Sequence, residues 1–333
     1  MKAIKFLGNK NLEIIDTAKP IPGKGFAVVK VMASGICRTD IDFFYEKAEP
    51  TDITGGHEVT GIVDQPAVPG MFEKGDRVLL NCHWTCGSCK HCLAGDLIFC
   101  TELKALGFEF NGGYAEYVLA PESILRRLPD DISLGAGIIA GDALGTAYHA
   151  VKKAGVVKGD RVGVIGVGPV GLMAVASATY FGEEVFAIDV INERLEMAKE
   201  MGAAKILNPL LTNIEEQVKE DTSGDGLDTI IECTGSSDAI NNALKLLKFR
   251  GKMIFVGVCT GLNVNAYDLI TAREIVIIGS RNYHDSELEE IFGLIRKNPF
   301  IEKIITNRFK IIEASAAFKM AEERKGLKII LTP

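Results

Sequence analysis

The sequence predicts an α/β protein in two parts, a compact β-rich domain and a doubly wound parallel sheet. Two textures predict it. Before about residue 150, short β-like runs alternate with Gly/Pro turns: FAVVKVMASGI, HEVTGIVDQP, DRVLLN and YAEYVLAP. After about residue 155, apolar runs of strand length recur at 161–165, 185–189, 228–233, 252–258 and 274–279. Helical patterns such as NERLEMAKEMG and SSDAINNALKLLK lie between them. Strands that are apolar on both faces must be covered on both faces, and helical crossovers supply that cover. Beyond residue 279 the texture is mixed again. HDSELEEIFGLIRKN and IEASAAFKMAEERKG read as helices, and LKIILTP reads as a closing strand. There is no internal repeat and no low-complexity segment.

The totals narrow the function. A chain of 333 residues can build two cores, and 47% hydrophobic with 24% charged residues is ordinary for a globular protein. A net charge of -7 without a Lys/Arg stripe argues against nucleic acid as a partner. No stretch is apolar for long enough to span a bilayer. The opening MKAIKFLGNKNLEII reads as strand, turn and strand rather than as an export signal. The expected compartment is therefore the cytoplasm, where clustered cysteines point to metal rather than to disulfides.

CGSCKHCLAGDLIFC carries Cys86, Cys89, Cys92 and Cys100, half of the eight cysteines in fifteen residues. Four thiolates complete a tetrahedral zinc shell and leave no open position, so this cluster reads as a structural site in a lobe of about residues 82–101. His91 beside it reads as an exposed loop residue, and Cys82 as a packing residue at the end of RVLLN. A catalytic metal needs fewer protein ligands. Cys37 in ASGICRTD and His57 with Glu58 in GGHEVTG offer them, at the ends of strand-like runs.

Residues 159–189 carry a nucleotide signature. Gly166, Gly168 and Gly171 follow the strand pattern RVGVI and open a helix through Pro169 and Val170. These glycines permit a tight turn, close approach of a pyrophosphate and close helix–strand packing. The helix N-terminus offers unpaired N–H groups to phosphates. Asp189 ends the next strand, where a carboxylate accepts from a ribose and repels a 2′-phosphate, so NAD is expected ahead of NADP. Arg194, five residues on, tempers that preference.

GICRTD, GGHEVTG, the four-cysteine lobe, NGGYAEYV, and GVGPVG with its downstream Asp stand in an order and spacing that resemble one family over nearly the whole chain. It is the zinc-containing medium-chain alcohol/polyol dehydrogenases, within the medium-chain dehydrogenase/reductase superfamily. The resemblance implies a GroES-like β-rich catalytic domain from residues 1–146 and 281–333, with a Rossmann NAD-binding domain at 147–280 and the active site in the cleft. It makes Cys37 and His57 ligands of a catalytic zinc. It puts Asp142 of AGIIAGDALGTAYHA at the third position, where many relatives carry Cys or Glu. The alternative role for Asp142 is to cap the following helix. Glu58 becomes a candidate to move onto the metal during ligand exchange, Asp40 the acceptor that orients His57, and Thr39 the proton-relay hydroxyl. Asp42 stands where some relatives carry a relay His. Arg38, Thr234, Val256, Gly257, Ser280 and Arg281 join the glycines, Asp189 and Arg194 as expected cofactor contacts. Phe43, Phe44, Phe108 and Phe110 either wall the substrate pocket or pack in the core.

The implied activity is oxidoreduction of a CH–OH group: hydride passes between a secondary alcohol, polyol or sugar and NAD, with two zinc ions per chain, one catalytic and one structural. A threonine or sugar 1-dehydrogenase uses the same apparatus. A non-catalytic NAD-binding protein is the alternative from another class. The expected partners are a small-molecule substrate and further copies of the chain, as a homodimer or homotetramer joined through the edge strand near 274–279.

Overall fold

The computed structural model describes every residue except Glu183. It forms two compact units, Met1–Asp142 with Glu302–Pro333, and Ala143–Ile301. The second crossing thus lies some twenty residues beyond the 280/281 expected from sequence. The reason is the helix Leu288–Lys297. Its Glu290 accepts a 2.5 Å hydrogen bond from the Tyr148 hydroxyl and pairs with Lys152 at 2.7 Å, both on the helix Gly145–Ala154.

In the first unit seven strands form one sheet. Along it run Ile305–Lys310, Lys328–Thr332, Phe26–Ile36, Glu58–Gln65, Arg77–Leu80 and Leu125–Arg127, and Tyr117–Pro121 also joins Phe26–Ile36. Phe26–Ile36 organises it. Its first half pairs with Tyr117–Pro121 and its last three residues with Lys328–Thr332. Register shifts against Glu58–Gln65 fall between Val28 and Val29 and between Val31 and Ala33, and such bulges sharpen twist. One core gathers Val29, Val59, Val78 and Leu125, and a second gathers Ile4, Phe6, Tyr114, Phe318 and Ile329. The N-terminal hairpin of Lys2–Gly8 and Asn11–Asp16 turns through Asn9 and Lys10, both at positive φ, as a tight hairpin turn requires.

In the second unit six parallel strands stand in the order Lys205–Leu207, Glu184–Ile188, Arg161–Ile165, Leu227–Glu232, Leu247–Phe255, Val276–Gly279. Lys205–Leu207 escapes the sequence pattern because three residues are too few to show a period. The order reverses between Arg161–Ile165 and Leu227–Glu232, which is where open α/β sheets bind ligands, outside the strand C-termini. The helix Pro169–Phe181 is buried from Gly171 to Ala178, as its uniformly apolar sequence demands. Among the described residues no helix is long and apolar enough to cross a membrane.

Candidate active site

Cys37, His57, Glu58 and Asp142 bring one ligand atom each to within 4.8 Å of one another. Cys37 follows the strand Phe26–Ile36, and His57 precedes the strand Glu58–Gln65. Pairing of Gly35 with Glu58 lays those two ends side by side. A Cβ on Gly35 would stand 2.0 Å from Glu58 Oε2 and 2.9 Å from Ile138 Cγ2, so any larger residue there must displace the Glu58 carboxyl. Asp142 lies in a one-turn π-helix, Ala140–Leu144, a local widening that is frequent at functional sites. The helix Gly145–Ala154 begins after Leu144, without a side-chain cap. The capping alternative for Asp142 therefore falls.

Around these four stand groups that hold them. Asp40 is fully buried, not solvated. Its Oδ1 lies 3.3 Å from His57 Nδ1, and its Oδ2 accepts from the Cys37 N–H at 2.9 Å and the Tyr114 hydroxyl at 2.8 Å. With Nδ1 engaged, Nε2 is the His57 nitrogen left for a metal. Burial works against a charged His57, but Asp40 outweighs it and holds the imidazole well above its usual range. Lys328 is 3% exposed, and its Nζ lies 2.5 and 2.7 Å from the Glu58 oxygens and 3.9 Å from Asp142 Oδ2.

Sequence reading missed Lys328 and Tyr114. The signal for Lys328 is a lone cation inside the closing strand LKIILTP, since a lysine is almost never buried unless paired.

Burial pushes the Glu58 carboxyl up to about 8 against the pull of Lys328, and Asp142 adds to the rise. Burial, then Asp142, pushes the Cys37 thiol up. Asp142 itself is held below its ordinary range, because its hydrogen bond to Glu58 and the Lys328 charge outweigh its own burial. A thiol and two carboxyls crowd one another in this way until a divalent cation joins them, which reverses the local balance toward thiolate and carboxylate. The donor set of sulfur, nitrogen and oxygen fits zinc.

Thr39 Oγ1 stands 3.6 Å from Cys37 Sγ. The Phe108 ring lies 5.2 Å from His57, with Phe43 edge-on to it at 5.6 Å and half exposed. Phe44 packs in the core against Phe6, and Phe110 packs against Trp84. Arg38 is engaged within its own unit by Asp42 at 2.6 Å and Glu46 at 3.5 Å.

The second cluster in this unit is Cys86, Cys89, Cys92 and Cys100, again within 4.8 Å. Sulfur separations of 3.5 to 3.9 Å exclude a disulfide and suit four thiolates around one ion. Backbone N–H groups of Cys86, Cys89 and Glu102 point at sulfurs. Such bonds hold the Cys89 thiol down at about 5, whereas burial and neighbouring thiols push Cys92 up to about 11. Cys82 packs on the core, as expected. His91 sits on the short helix Lys90–Leu93, partly buried near Phe99, rather than in an open loop.

In the second unit Gly166 turns at φ +83 directly after Arg161–Ile165, and a Cβ on Gly171 would stand 1.9 Å from the Gly166 oxygen. Gly168 caps the helix, with Pro169 and then Val170 in its first turn. Asp189 receives the Val167 N–H at 2.8 Å and the Ile191 N–H at 2.9 Å, with Arg194 3.9 Å away. Thr234, Val256, Gly257, Ser280 and Arg281 all follow strand C-termini of the same sheet. The Ser280 hydroxyl is buried without a partner.

A cavity of about 300 Å³ that reaches Ile165 and Ile188 at two strand ends has a mixed lining, with Ala239 and Ala243 on one side and polar groups such as Asn213, Asn242 and Lys245 beside them. A larger cavity of about 640 Å³ opens at the opposite strand ends. Its cations Lys219, Lys245, Lys248 and Arg273 already have partners in Glu215, Asn242, Asp228 and the Leu244 carbonyl.

Two family models match the chain: alcohol dehydrogenase GroES-like domain over residues 23–130, and zinc-binding dehydrogenase over 169–297. The chain is 31% identical over 335 residues to sorbitol dehydrogenase of Halalkalibacterium halodurans, covering 98% of this chain and 97% of that one. It belongs to the zinc-containing medium-chain dehydrogenase family. This dehydrogenase is also 31% identical over 344 residues to L-threonine 3-dehydrogenase of Shewanella baltica, covering 100% and 99%. Among solved structures it resembles alcohol dehydrogenase TADH from Thermus sp. ATN1, with a TM-score of 0.91, 27% identity and coverage of 100% and 99%. Its first unit is the GroES-like domain and its second the Rossmann domain. It is an oxidoreductase acting on CH–OH donors.

Proposed function

We propose that Cys37, His57 and Asp142 hold the catalytic zinc of this dehydrogenase, that Cys86, Cys89, Cys92 and Cys100 hold a structural one, and that NAD rather than NADP takes the hydride. The observation that carries this reading is the convergence of Cys37, His57, Glu58 and Asp142 within 4.8 Å. Zinc supplies Lewis acidity that lowers the pKa of a hydroxyl, and NAD⁺ supplies the hydride acceptor. The chain does the rest. Asp40 fixes the His57 ring and Lys328 restrains Glu58. Thr39 offers a hydroxyl 3.6 Å from Cys37 Sγ to relay the substrate's proton. The Asp189 carboxylate keeps acceptor capacity for a ribose after its two N–H bonds, and its charge opposes a 2′-phosphate. The orphaned Ser280 hydroxyl offers a polar contact to such a cofactor.

The substrate class is a secondary alcohol, polyol or sugar. Threonine stands as a second reading, because the similarity to an L-threonine 3-dehydrogenase equals that to a sorbitol dehydrogenase. The edge strand Val276–Gly279 exposes Val276 and Ile277 and is the surface for self-association. Eight free cysteines suit a reducing cytoplasm.

A panel of secondary alcohols, polyols, aldoses and threonine with NAD⁺ and NADP⁺, beside zinc analysis, tests the reading. Two zinc per chain and kcat/KM about tenfold or more in favour of NAD⁺ are expected. One zinc per chain, or turnover with NADP⁺ alone, would overturn it.

A further inference from the structure

Glu232 is a fully buried carboxylate that the dehydrogenase chemistry leaves unused. It ends the strand Leu227–Glu232, beside the point where the strand order reverses. Its Oε1 receives the Thr234 N–H at 2.7 Å, the Gly235 N–H at 3.1 Å and the Thr234 hydroxyl; its Oε2 receives the Gly235 N–H at 3.2 Å. Every partner donates, so the site fits a group that only accepts, which is the ionised carboxylate. Among the described residues no cation pairs with it. A buried charge held by N–H and O–H dipoles without a cation is costly to keep.

The turn it holds is packed on both sides. The Glu232 backbone oxygen accepts from Val256 at 3.0 Å and Gly257 at 2.9 Å. A Cβ on Gly257 would stand 2.3 Å from the Gly235 nitrogen, and a Cβ on Gly166 would stand 2.4 Å from Thr234 Cγ2. The carboxylate thus holds the Thr234–Gly235 turn, and that turn in turn lies close against Gly257 and the Gly166 loop.

We propose that Glu232 is a positioning residue for the dinucleotide: it sets the Thr234–Gly235 turn against the Gly166 loop, and its unpaired negative charge favours the oxidised, cationic nicotinamide over the reduced form. The inference rests on the NAD reading above. Gln at this position keeps the shape but removes the charge and turns an N–H toward N–H donors. Val at Thr234 removes one hydroxyl contact and leaves the charge.

The test is titration of zinc-loaded wild type, Glu232→Gln and Thr234→Val with NAD⁺ and with NADH, by calorimetry and NADH fluorescence, beside thermal melts. Glu232→Gln is expected to weaken both cofactors and to raise the ratio of the NAD⁺ Kd to the NADH Kd by roughly threefold or more. A merely structural role would lower Tm without moving that ratio. Thr234→Val is expected to weaken both by about fivefold at an unchanged ratio. Folded Glu232→Gln with the wild-type ratio overturns the proposal and leaves the NAD reading standing. Should Glu232→Gln fail to fold, Thr234→Val with wild-type affinities overturns it. Wild type that binds neither cofactor removes the NAD reading itself, and this inference with it.

Discussion

The two proposed cation sites of the first unit are built in opposite ways. The lobe draws four like donors from fifteen consecutive residues, and its sulfurs are steadied by the backbone N–H groups of the same loop. The other site draws unlike donors from Cys37, His57 and Asp142, and outside groups hold them: Asp40 and Tyr114 behind His57, and Lys328 behind Glu58. A closed tetrahedron is defined by its own four bonds, and here its support comes from the same loop. A site with an open position has fewer bonds to define it, so the surrounding fold must supply the geometry. On the proposed assignment, the dense cluster staples the chain and the sparse, buried-supported one is where it reacts.

The largest expected effect separates the two sites directly. Cys37→Ser should lower kcat/KM by roughly 10³-fold or more, several kcal/mol of lost Lewis acidity. One zinc should go with it, while Tm stays near wild type. Cys89→Ser should lose the other zinc and lower Tm or disturb assembly, and the protein that does fold should keep kcat/KM within about threefold. Zinc analysis, melts and steady-state kinetics on both variants would exchange the two assignments if the outcomes were reversed.

A smaller effect sharpens the idea that the sparse site is held from behind. Asp40→Asn should weaken catalytic zinc retention by about 10- to 100-fold in chelator competition and leave the lobe zinc in place. Unchanged retention would reduce Asp40 to a core polar group.

The smallest effect comes from a second buried His–carboxylate pair, in the other unit. His149 Nδ1 lies 3.1 Å from Glu287 Oε2, much like His57 and Asp40, yet no cysteine joins it. Glu287→Gln should leave zinc content and kcat alone and cost roughly 2 kcal/mol of stability at neutral pH. Burial raises the Glu287 carboxyl, but its hydrogen bond to His149 outweighs this and holds it below its ordinary 4.5. A depressed acid stabilises above its unfolded pKa and loses that contribution as pH falls through the folded one. The Tm gap between wild type and variant should therefore narrow below about pH 4.5. Loss of zinc in this variant would mean that pairing alone does not distinguish the two histidines.

How much of this was legible depended on how far apart in the chain the cause lay. The glycine loop could be read because strand, turn and helix are consecutive from Arg161 to Phe181. The lobe could be read because its spacing is local. Cys37 and His57 could be read locally as candidate ligands at strand ends, but their joint role and Asp142 came from resemblance, since nothing local says that residues so far apart meet. Asp142 also carried a plausible capping role that only the one-turn π-helix removed. Lys328 and Glu232 lay in apolar strands, where a period-2 pattern marks a charge as odd but cannot name its partner.

By itself the sequence determined which segments are apolar on one face or on both, where the turns fall, and which donors lie within a few residues of one another. These follow from chain periodicity and short loops, and they suffice for the fold class, the glycine loop and the four-cysteine lobe. The tertiary structure alone decided that Gly35 passes Glu58, that Lys328 from the last strand pairs with it, and that Glu232 sits uncompensated at the head of the Rossmann sheet. Charge in a buried site is set by neighbours brought together across the whole chain, and no local pattern records them.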